Sequence, residues 1–348
     1  MDLIALTRKL IDILSLTGEE EEVGRFIASY LESLGYSSEL QQVALNRFNV
    51  IATTEAAPRV VLSTHMDTVP PFIPSNEDDE RIYGRGACDA KGIIAAQITA
   101  AERLRKEGVN EIGLLFTVDE EMASAGARVA NQHPITSRVR FLINGEPTDN
   151  KLAKGTKGSL RLTINTKGRA AHSAYPEDGE SAIETLLDVL SSIRNCQWPG
   201  DDFFGETTCN IGVISGGLRP NIVPAEAHAD LQIRLVTEAA PVKRILERAI
   251  AGRAQVEYCS EHSPVRLCAT EGFEQRVMRF TTDIPFLSNW GQPLLLGPGS
   301  ILNAHTDHEY VTKRALDEAV ELYTRLVQSL LVRETNRKPG EQTEGACR

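Results

Sequence analysis

Apolar residues recur at helical spacing in some stretches of the chain and form short continuous or alternating runs in others. Residues 3–14 have helical spacing, and residues 17–20 have the pattern of a capping box before a second helical stripe that ends near Gly35. Residues 92–104 and 126–132 also predict helices. Strands are predicted for the apolar runs at 49–53, 59–64, 112–118 and 139–144.

The pattern changes after Lys157. Strands and helices are predicted there in the order strand 160–164, helix 180–193, strands 209–215 and 225–235, helix 242–251 and strand 255–259. This βαββαβ order is typical of a small α+β layer with two helices on one face of a sheet. The flanking segments keep the strand–helix alternation of a larger α/β domain. We therefore expect an α/β domain (1–157 and 264–348) with a smaller domain (158–263) inserted into it.

Composition and charge narrow the classes of function. The 348 residues are 41% hydrophobic and 24% charged, which is typical of a globular protein, and 37 basic against 48 acidic residues give a net charge of −11. This balance argues against a nucleic-acid partner. The longest stretch without charge or His, 284–304, holds three Pro and three Gly and cannot be a membrane helix.

The cellular compartment is predicted from the termini and the cysteines. The N-terminus lacks a basic segment followed by an apolar core, so we expect no signal peptide. Six scattered cysteines without a CxxC pair favour free thiols in a reducing compartment over a disulfide framework or a cysteine zinc site. We therefore expect a cytoplasmic protein.

Histidine and acidic residues follow the predicted strands. They are His65 and Asp67, Asp89, the run from Asp119 through Glu120 to Glu121, Glu146, and His305 after a Gly-Pro-Gly turn. Because ligands of open α/β sheets bind beyond the carboxyl ends of the strands, these side chains could share one crevice. Unpaired carboxylates in one pocket repel each other, and divalent cations remove that conflict. Two cations sharing one carboxylate would use two His and three carboxylates, and would leave one of Glu120 and Glu121 free as a base.

Ordinary explanations exist for each residue alone. A single His after a strand is usually structural or exposed, and an acidic triplet is usually a solvated turn. The joint occurrence at five segments favours a metal site. A nucleotide-binding enzyme is a weaker alternative, because neither GxxxxGK[ST] nor GxGxxG is present. A non-catalytic binding or scaffold protein would be favoured by a missing ligand or base, and none is missing.

The motifs resemble those of the M20 family of metallopeptidases and deacylases, which includes acetylornithine deacetylase and succinyl-diaminopimelate desuccinylase. The matching segments, in family order over nearly the whole chain, are STHMDTVP (63–70), YGRGACDAKG (83–92), DEE (119–121), GEPT (145–148), and GPG (297–299) followed by AHT (304–306). The resemblance implies a zinc-peptidase-like α/β catalytic domain. It also implies that the inserted, ferredoxin-like domain is a lid and dimerisation domain.

The resemblance also implies roles for individual residues. Asp89 would bridge two Zn²⁺ ions, for which Co²⁺ can substitute. His65 and Glu146 would complete one metal site, and Glu121 and His305 the other. Asp67 would hold the ring of His65, and Glu120 would be the general base and acid. A cis peptide is expected after Asp89.

Three residues of the inserted domain complete the expected site. GRAAHSA (168–174) resembles the lid segment whose His, here His172, holds the developing oxyanion in the partner subunit of dimeric members. GGLRPNIVP (216–224) and DLQIR (230–234) resemble segments whose Asn and Arg contact substrate, here Asn221 and Arg234. The expected partners are a small N-acyl amino acid and a second copy of the chain.

The expected reaction is hydrolysis of the amide bond of a small N-acylated amino acid, first of all N-acetylornithine, as in arginine biosynthesis. Alternatives are N-succinyl-diaminopimelate, dipeptide or carboxypeptidase substrates, and lysine or ornithine linked to an acidic carrier protein. A chain of charge −11 would repel such a carrier unless it has a local basic patch. Two positions depart from the deacetylase pattern: Ser300 stands where many members carry Asp, and Ala90 stands where larger or acidic residues are common.

Overall fold

The computed structural model describes residues 1–54 and 56–335. The helices are α1 (Leu3–Ile11), α2 (Glu21–Ser33), α3 (Lys91–Lys106), α4 (Ala125–Ala130), α5 (Ala182–Arg194), α6 (Ala239–Ile250) and α7 (Lys313–Thr335). The strands are β1 (Ser37–Ala44), β2 (Arg47–Thr53), β3 (Val60–His65), β4 (Asn76–Glu77), β5 (Arg81–Tyr83), β6 (Ile112–Thr117), β7 (Phe141–Asn144), β8 (Leu152–Thr156), β9 (Gly158–Lys167), β10 (Gly200–Asp201), β11 (Gly205–Glu206), β12 (Thr208–Gly216), β13 (Glu226–Leu235), β14 (Gln255–His262), β15 (Val265–Arg266), β16 (Gln275–Met278), β17 (Gln292–Leu295) and β18 (Tyr310–Thr312).

The chain forms two compact units. The first contains residues 1–154, 267–276 and 282–348, and the second contains residues 155–266 and 277–281. Residues 336–348 lie outside the described part of the chain. The domain ranges expected from the sequence and the lid role of the second unit stay predictions.

The first unit is built on a mixed six-stranded sheet with the order β1-β2-β6-β3-β7-β17. Strands β6, β3, β7 and β17 run parallel, whereas β2 is antiparallel to β6 and β1 is antiparallel to β2. All residues of β3 and β6 are buried, because layers cover both faces of the sheet. The four parallel strands end at the same edge, which is where the sequence places its His and acidic residues.

Alternate residues of each central strand belong to different cores. In β6, Leu114 and Phe116 belong to the core that includes α1, α3 and α7, whereas Leu115 belongs to the core that includes α4 and Trp290. This alternation follows from the two-residue period of a strand. The predicted α/β fold is confirmed.

The second unit has a four-stranded antiparallel sheet with the order β12-β13-β9-β14. Helices α5 and α6 cover one face, and their apolar side chains form a core with Leu160, Leu162 and Ile233 of the sheet. Strand β12 is at one edge and is largely exposed. The βαββαβ order predicted from the sequence is confirmed.

One local expectation is wrong. The capping box expected at 17–20 does not form: α2 begins at Glu21, and its N-cap Glu20 makes no side-chain cap bond because its carboxylate pairs with Arg47. Among the described residues, Cys88, Cys196, Cys209 and Cys259 are free thiols as expected, and Cys347 lies outside the described part of the chain.

A separate observation concerns the membrane. Within residues 1–54 and 56–335, none of the helices combines the length and the apolar character needed to cross a bilayer. The cytoplasmic location stays a prediction.

Candidate metal and active site

Asp89 lies at the centre of the His and acidic residues of the first unit. It is 5% exposed, and a cis peptide bond, as expected, joins it to Ala90, the N-cap residue of α3. Its Oδ1 lies 3.0 Å from Nε2 of His65, and its Oδ2 lies 3.4 Å from Nε2 of His305. Each carboxylate oxygen therefore faces a different histidine.

Glu121 and Glu146 extend this cluster. Glu121 Oε1 lies 2.9 Å from Nε2 of His305. Ligand atoms of His65, Asp89 and Glu121 lie within 4.8 Å of one another, close enough to hold one metal ion. Glu146 follows β7, is 4% exposed, and its Oε1 has no hydrogen-bond partner among the described residues. A buried carboxylate oxygen without a partner is costly unless a cation or a proton satisfies it.

The charges of these groups shift one another's pKa. Although burial opposes it, contacts with Asp67 and Asp89 raise the pKa of His65 well above its usual range. Contacts with Asp89 and Glu121 raise the pKa of His305 to about 10. Burial, together with the negative charge of Glu120, raises the pKa of Glu146 well above its usual range.

Glu120 is partly exposed beside these groups. Burial of its carboxyl group raises its pKa well above the usual range; Asp283, Glu121 and Asp89 add to this effect, and His65 opposes it. A carboxyl group with a raised pKa can both accept and release a proton near neutral pH, which is the requirement for a general base and acid. Glu120 therefore has the chemistry of a proton carrier at this site.

Asp67 connects two strand ends. His65 Nδ1 lies 2.9 Å from the backbone carbonyl oxygen of Asp67 and 3.5 Å from its Oδ1. The same carboxylate accepts hydrogen bonds from the backbone N–H groups of Glu120 and Glu121, at 3.1 and 3.2 Å, and from the Thr17 hydroxyl at 2.8 Å. Asp67 thus fixes the loop that carries Glu120 and Glu121 as well as the ring of His65.

Backbone strain is concentrated in the same loops. Asp119 and His305 have positive φ angles of 71° and 63°, which residues with side chains rarely adopt. The carboxylate of Asp119 holds its turn by accepting hydrogen bonds from Arg47 at 2.8 Å and from the Ala125 N–H at 3.2 Å.

The Gly-Pro-Gly turn before His305 passes close to the Glu146 loop. A Cβ atom at Gly297 would lie 2.4 Å from the Glu146 carbonyl oxygen, so only glycine fits there. Hydrogen bonds from Thr148 and Asn150 to the Gly297 carbonyl oxygen join the two loops.

Several supporting residues were missed by sequence reasoning. Glu309 accepts hydrogen bonds from the backbone N–H groups of Cys88 and Asp89, both at 3.1 Å, and pairs with Arg85 at 2.7 Å. Asp283 is 1% exposed and accepts a hydrogen bond from Thr117 at the end of β6. The position of Glu309, four residues after His305, was the one available signal; a lone acid such as Asp283 gave none.

The three candidate residues of the second unit lie on its loops and sheet. His172 pairs with Ile222 in an isolated bridge, and Ser173 donates to the Asn221 carbonyl oxygen at 3.1 Å, so the His172 and Asn221 segments are neighbours. Arg234 lies on β13 and donates to the Thr281 hydroxyl at 3.5 Å. The roles expected for these residues stay predictions.

The donor set of the first unit fits two divalent cations. It offers two imidazole nitrogens and several carboxylates, which are ligands that Zn²⁺ binds in hydrolases. A cation would satisfy the unpartnered Oε1 of Glu146. Cations would also fit between Asp89 and the two histidines that it contacts, His65 and His305.

These pKa shifts predict how pH affects the metal-free protein. Folding raises the pKa of Glu146 above its ordinary value of 4.5, so this group makes the folded protein less stable as the pH rises above 4.5. The stabilising charge of His305 is fully present below pH 6.5 and is lost as the pH rises through about 10. We therefore expect the melting temperature of chelator-treated protein to fall as the pH rises from 5 to 9.

Glu146→Gln should make that fall shallower, because it removes a buried negative charge. At pH 8 the chelator-treated variant should melt about 2–4 °C higher than the wild type, corresponding to about 1 kcal/mol. Differential scanning calorimetry of both proteins at several pH values tests this. If the melting temperatures of the two proteins fall equally steeply with pH, the charge of Glu146 does not destabilise the metal-free protein.

Comparison with known proteins identifies the family of the chain. Residues 61–329 match the family described as Peptidase family M20/M25/M40. A peptidase M20 domain-containing protein of Schizosaccharomyces pombe is 39% identical over 94% of this chain and 84% of its own length. A probable carboxypeptidase of Aspergillus terreus is 37% identical over 94% of this chain and 86% of its own length.

A solved structure supports the fold. The crystal structure of a Staphylococcus aureus tripeptidase has a TM-score of 0.77 at 20% identity and covers 94% of this chain and 98% of its own. The family match and the two relatives each span most of the chain. The chain therefore belongs to the peptidase M20 family of hydrolases.

Proposed function

We propose that the protein hydrolyses the amide bond of a small N-acylated amino acid with two Zn²⁺ ions, for which Co²⁺ can substitute. The observation that carries this proposal is the placement of His65 and His305 on opposite carboxylate oxygens of Asp89. A carboxylate with a nitrogen ligand on each side has the arrangement of a bridge between two cations.

The ligands divide into two sets around this bridge. Asp89, His65 and Glu146 would hold one cation, and Asp89, Glu121 and His305 would hold the other. Contacts of Asp89 with both histidines, and the 2.9 Å contact between Glu121 and His305, support this division. Cations bound there would lower the pKa of a water molecule and polarise the carbonyl group of the substrate.

The remaining residues move protons and hold the cluster in place. Glu120 accepts a proton from the attacking water and passes it to the leaving amine, a role supported by its raised pKa and its place beside Glu121. Asp67 orients His65 and holds the backbone of Glu120 through its hydrogen bonds. His172, Asn221 and Arg234 of the second unit contact the substrate in this proposal.

N-acetyl-L-ornithine is the first substrate that we propose, which would place the protein in arginine biosynthesis. Release of a C-terminal amino acid from a short peptide is the second, because the Aspergillus terreus relative is named a probable carboxypeptidase. The two reactions break the same bond: the amide nitrogen belongs in each case to an amino acid with a free carboxylate. N-succinyl-diaminopimelate and carrier-linked lysine or ornithine have this bond as well.

We also propose that two copies of the chain associate through the second unit, in the cytoplasm. The edge strand β12 supports this, because Val213 and Ile214 are 48% and 55% exposed on it. Unpaired edge strands with exposed apolar side chains are suited to pairing with another chain.

The activity is tested by measuring free-amine release from zinc-loaded protein. N-acetyl-L-ornithine, N-succinyl-L-diaminopimelate and a set of dipeptides would be compared, each with a chelator-treated aliquot as blank. We expect release from at least one of them that the chelator abolishes and added zinc restores. Release that persists after complete removal of metal would contradict the proposal, as would no release from any substrate by protein that holds two zinc ions.

Glu120→Gln separates proton transfer from metal binding. The variant keeps the shape of the side chain but cannot take a proton, so we expect kcat to fall by about 10²–10⁴-fold. The zinc content should stay that of the wild type, measured by atomic emission. Glu32→Gln, at an exposed position of α2, is the matched control and should keep wild-type kcat. Wild-type turnover by Glu120→Gln would remove Glu120 from this role.

A further inference from the structure

One segment of the first unit, residues 283–290, lies along helix α4. The guanidinium carbon of Arg128, on α4, lies 3.8 Å from the centre of the Phe286 ring. Trp290 is 1% exposed, and its Nε1 donates a hydrogen bond at 3.2 Å to the carbonyl oxygen of Ala130, the last residue of α4. We call residues 283–290 the flanking segment. Its contacts with α4 fix the position of its first residue.

That first residue, Asp283, contacts both ends of the loop that carries Glu120, residues 118–123. At one end, its Oδ2 accepts a hydrogen bond at 2.8 Å from the hydroxyl group of Thr117, the last residue of β6. At the other end is Ser124, the N-cap residue of α4, whose hydroxyl group does not cap the helix. This hydroxyl group interacts with the carboxylate of Asp283 instead. One side chain therefore joins the two points at which the loop begins and ends.

The backbone at the two ends of this loop is strained. Asp119 and Ser124 have positive φ angles of 71° and 54°. Residues with a Cβ atom keep this conformation only where the surrounding structure imposes it. Arg47 holds the carboxylate of Asp119, and Asp283 holds the side chain of Ser124. Loss of either attachment would let the loop relax toward ordinary backbone angles.

The contacts of Asp283 are buried. Asp283 is 1% exposed, so water does not compete for its oxygens. Burial raises the pKa of Asp283 to about 6, and the interactions with the Ser124 and Thr117 hydroxyl groups oppose this rise. Without Asp283, the Thr117 hydroxyl group would keep only a longer contact of 3.4 Å, with the carbonyl oxygen of Thr64. A buried hydroxyl group that loses its acceptor destabilises the arrangement around it.

Asp283 differs from Asp67, which also supports this loop. Asp67 contacts the ring of His65, a proposed metal ligand, as well as the backbone of Glu120. In the part of the chain that the structure describes, no hydrogen bond or ion pair joins the side chain of Asp283 to a proposed metal ligand. Without Asp283, Asp67 would still hold the backbone of Glu121. Removal of Asp283 would therefore shift the loop and leave the set of ligands complete.

We propose that Asp283 is a positioning residue for proton transfer by Glu120, and that it acts by joining the two ends of the loop and not by its negative charge. This inference rests on the proposed function, in which Glu120 carries the proton. Proton transfer requires Glu120 to lie within hydrogen-bond reach of the attacking water, and a displacement of about 1 Å can lower a rate about 100-fold. Binding of zinc and of substrate does not depend on Glu120 in this account.

The test compares Asp283→Ala and Asp283→Asn in zinc-loaded protein. Each is assayed with whichever of N-acetyl-L-ornithine, N-succinyl-L-diaminopimelate and the dipeptides the wild type hydrolyses fastest. The alanine variant loses both contacts, so we expect kcat to fall by about 10- to 100-fold, with KM within about twofold of the wild type and unchanged zinc content. The asparagine variant can accept from Thr117 through its amide oxygen and donate to Ser124 through its amide nitrogen. Its kcat should therefore stay within about threefold of the wild type.

A second set of variants removes the two hydroxyl groups and keeps Asp283. Thr117→Val combined with Ser124→Ala should lower kcat as Asp283→Ala does. Adding Asp283→Ala to this double variant should cause no further loss, because residues that act through one another are not additive. The double variant also provides the test if Asp283→Ala does not fold. Asp79→Ala, at an exposed position in the turn between β4 and β5, is the control and should keep wild-type kcat.

The possible failures are distinguishable. Wild-type kcat in Asp283→Ala or in the double variant would overturn the inference and leave the proposed function intact. Equal losses in the alanine and asparagine variants would overturn it as well, because the negative charge would then be the property that matters.

If the wild type hydrolyses none of the substrates, amide hydrogen exchange of residues 118–123 replaces kcat as the measurement. We expect faster exchange in Asp283→Ala than in the wild type, and wild-type exchange in Asp283→Asn. This result would support the positioning of the loop by Asp283 although the proposed function fails. Equal exchange in all three proteins would overturn it.

Discussion

Repulsion between carboxylates crowded at one sheet edge is the constraint on which the first unit depends. Asp89, Glu121 and Glu146 are drawn together with Glu120 around two histidines, and burial raises the pKa of Glu120, Glu121 and Glu146. Burial and mutual repulsion disfavour the charged forms of these acids. Cations bound between these carboxylates would attract them, and this attraction would contribute to the affinity of the site for metal.

The surrounding fold holds these charges in place by giving each loop a second attachment. Asp67 holds the loop after β6 to the end of β3, and Arg47 joins Asp119 of that loop to Glu20. The buried pair of Arg85 and Glu309 holds the backbone of Asp89 and, through the Thr306 carbonyl oxygen, the segment of His305. These attachments are carboxylates and guanidinium groups with several hydrogen bonds each, which fix direction as well as distance.

The sequence was sufficient to predict the parts of this arrangement that have a strong local pattern. The parallel strands β3, β6 and β7 are short apolar runs; His65 is the last residue of β3, and Glu120 and Glu146 come within three residues of the ends of β6 and β7. Both the sheet and the candidate residues at its edge could therefore be predicted. The strand β1 was missed because it is polar and half-exposed, with no apolar run to mark it. Thr17 was assigned to a helix cap because its spacing to Glu20 fits one, whereas its hydroxyl group donates to Asp67. Such a contact joins residues far apart in the chain and has no signature in local spacing.

The central claim is that Asp89 bridges two cations, and a crystal structure of zinc-loaded protein tests it most directly. Anomalous scattering at the zinc edge should show two peaks, each within about 2.0–2.2 Å of a different oxygen of Asp89. One of them should lie against His65 and Glu146, and the other against Glu121 and His305. A single peak, or two peaks of which one does not contact Asp89, would contradict the account.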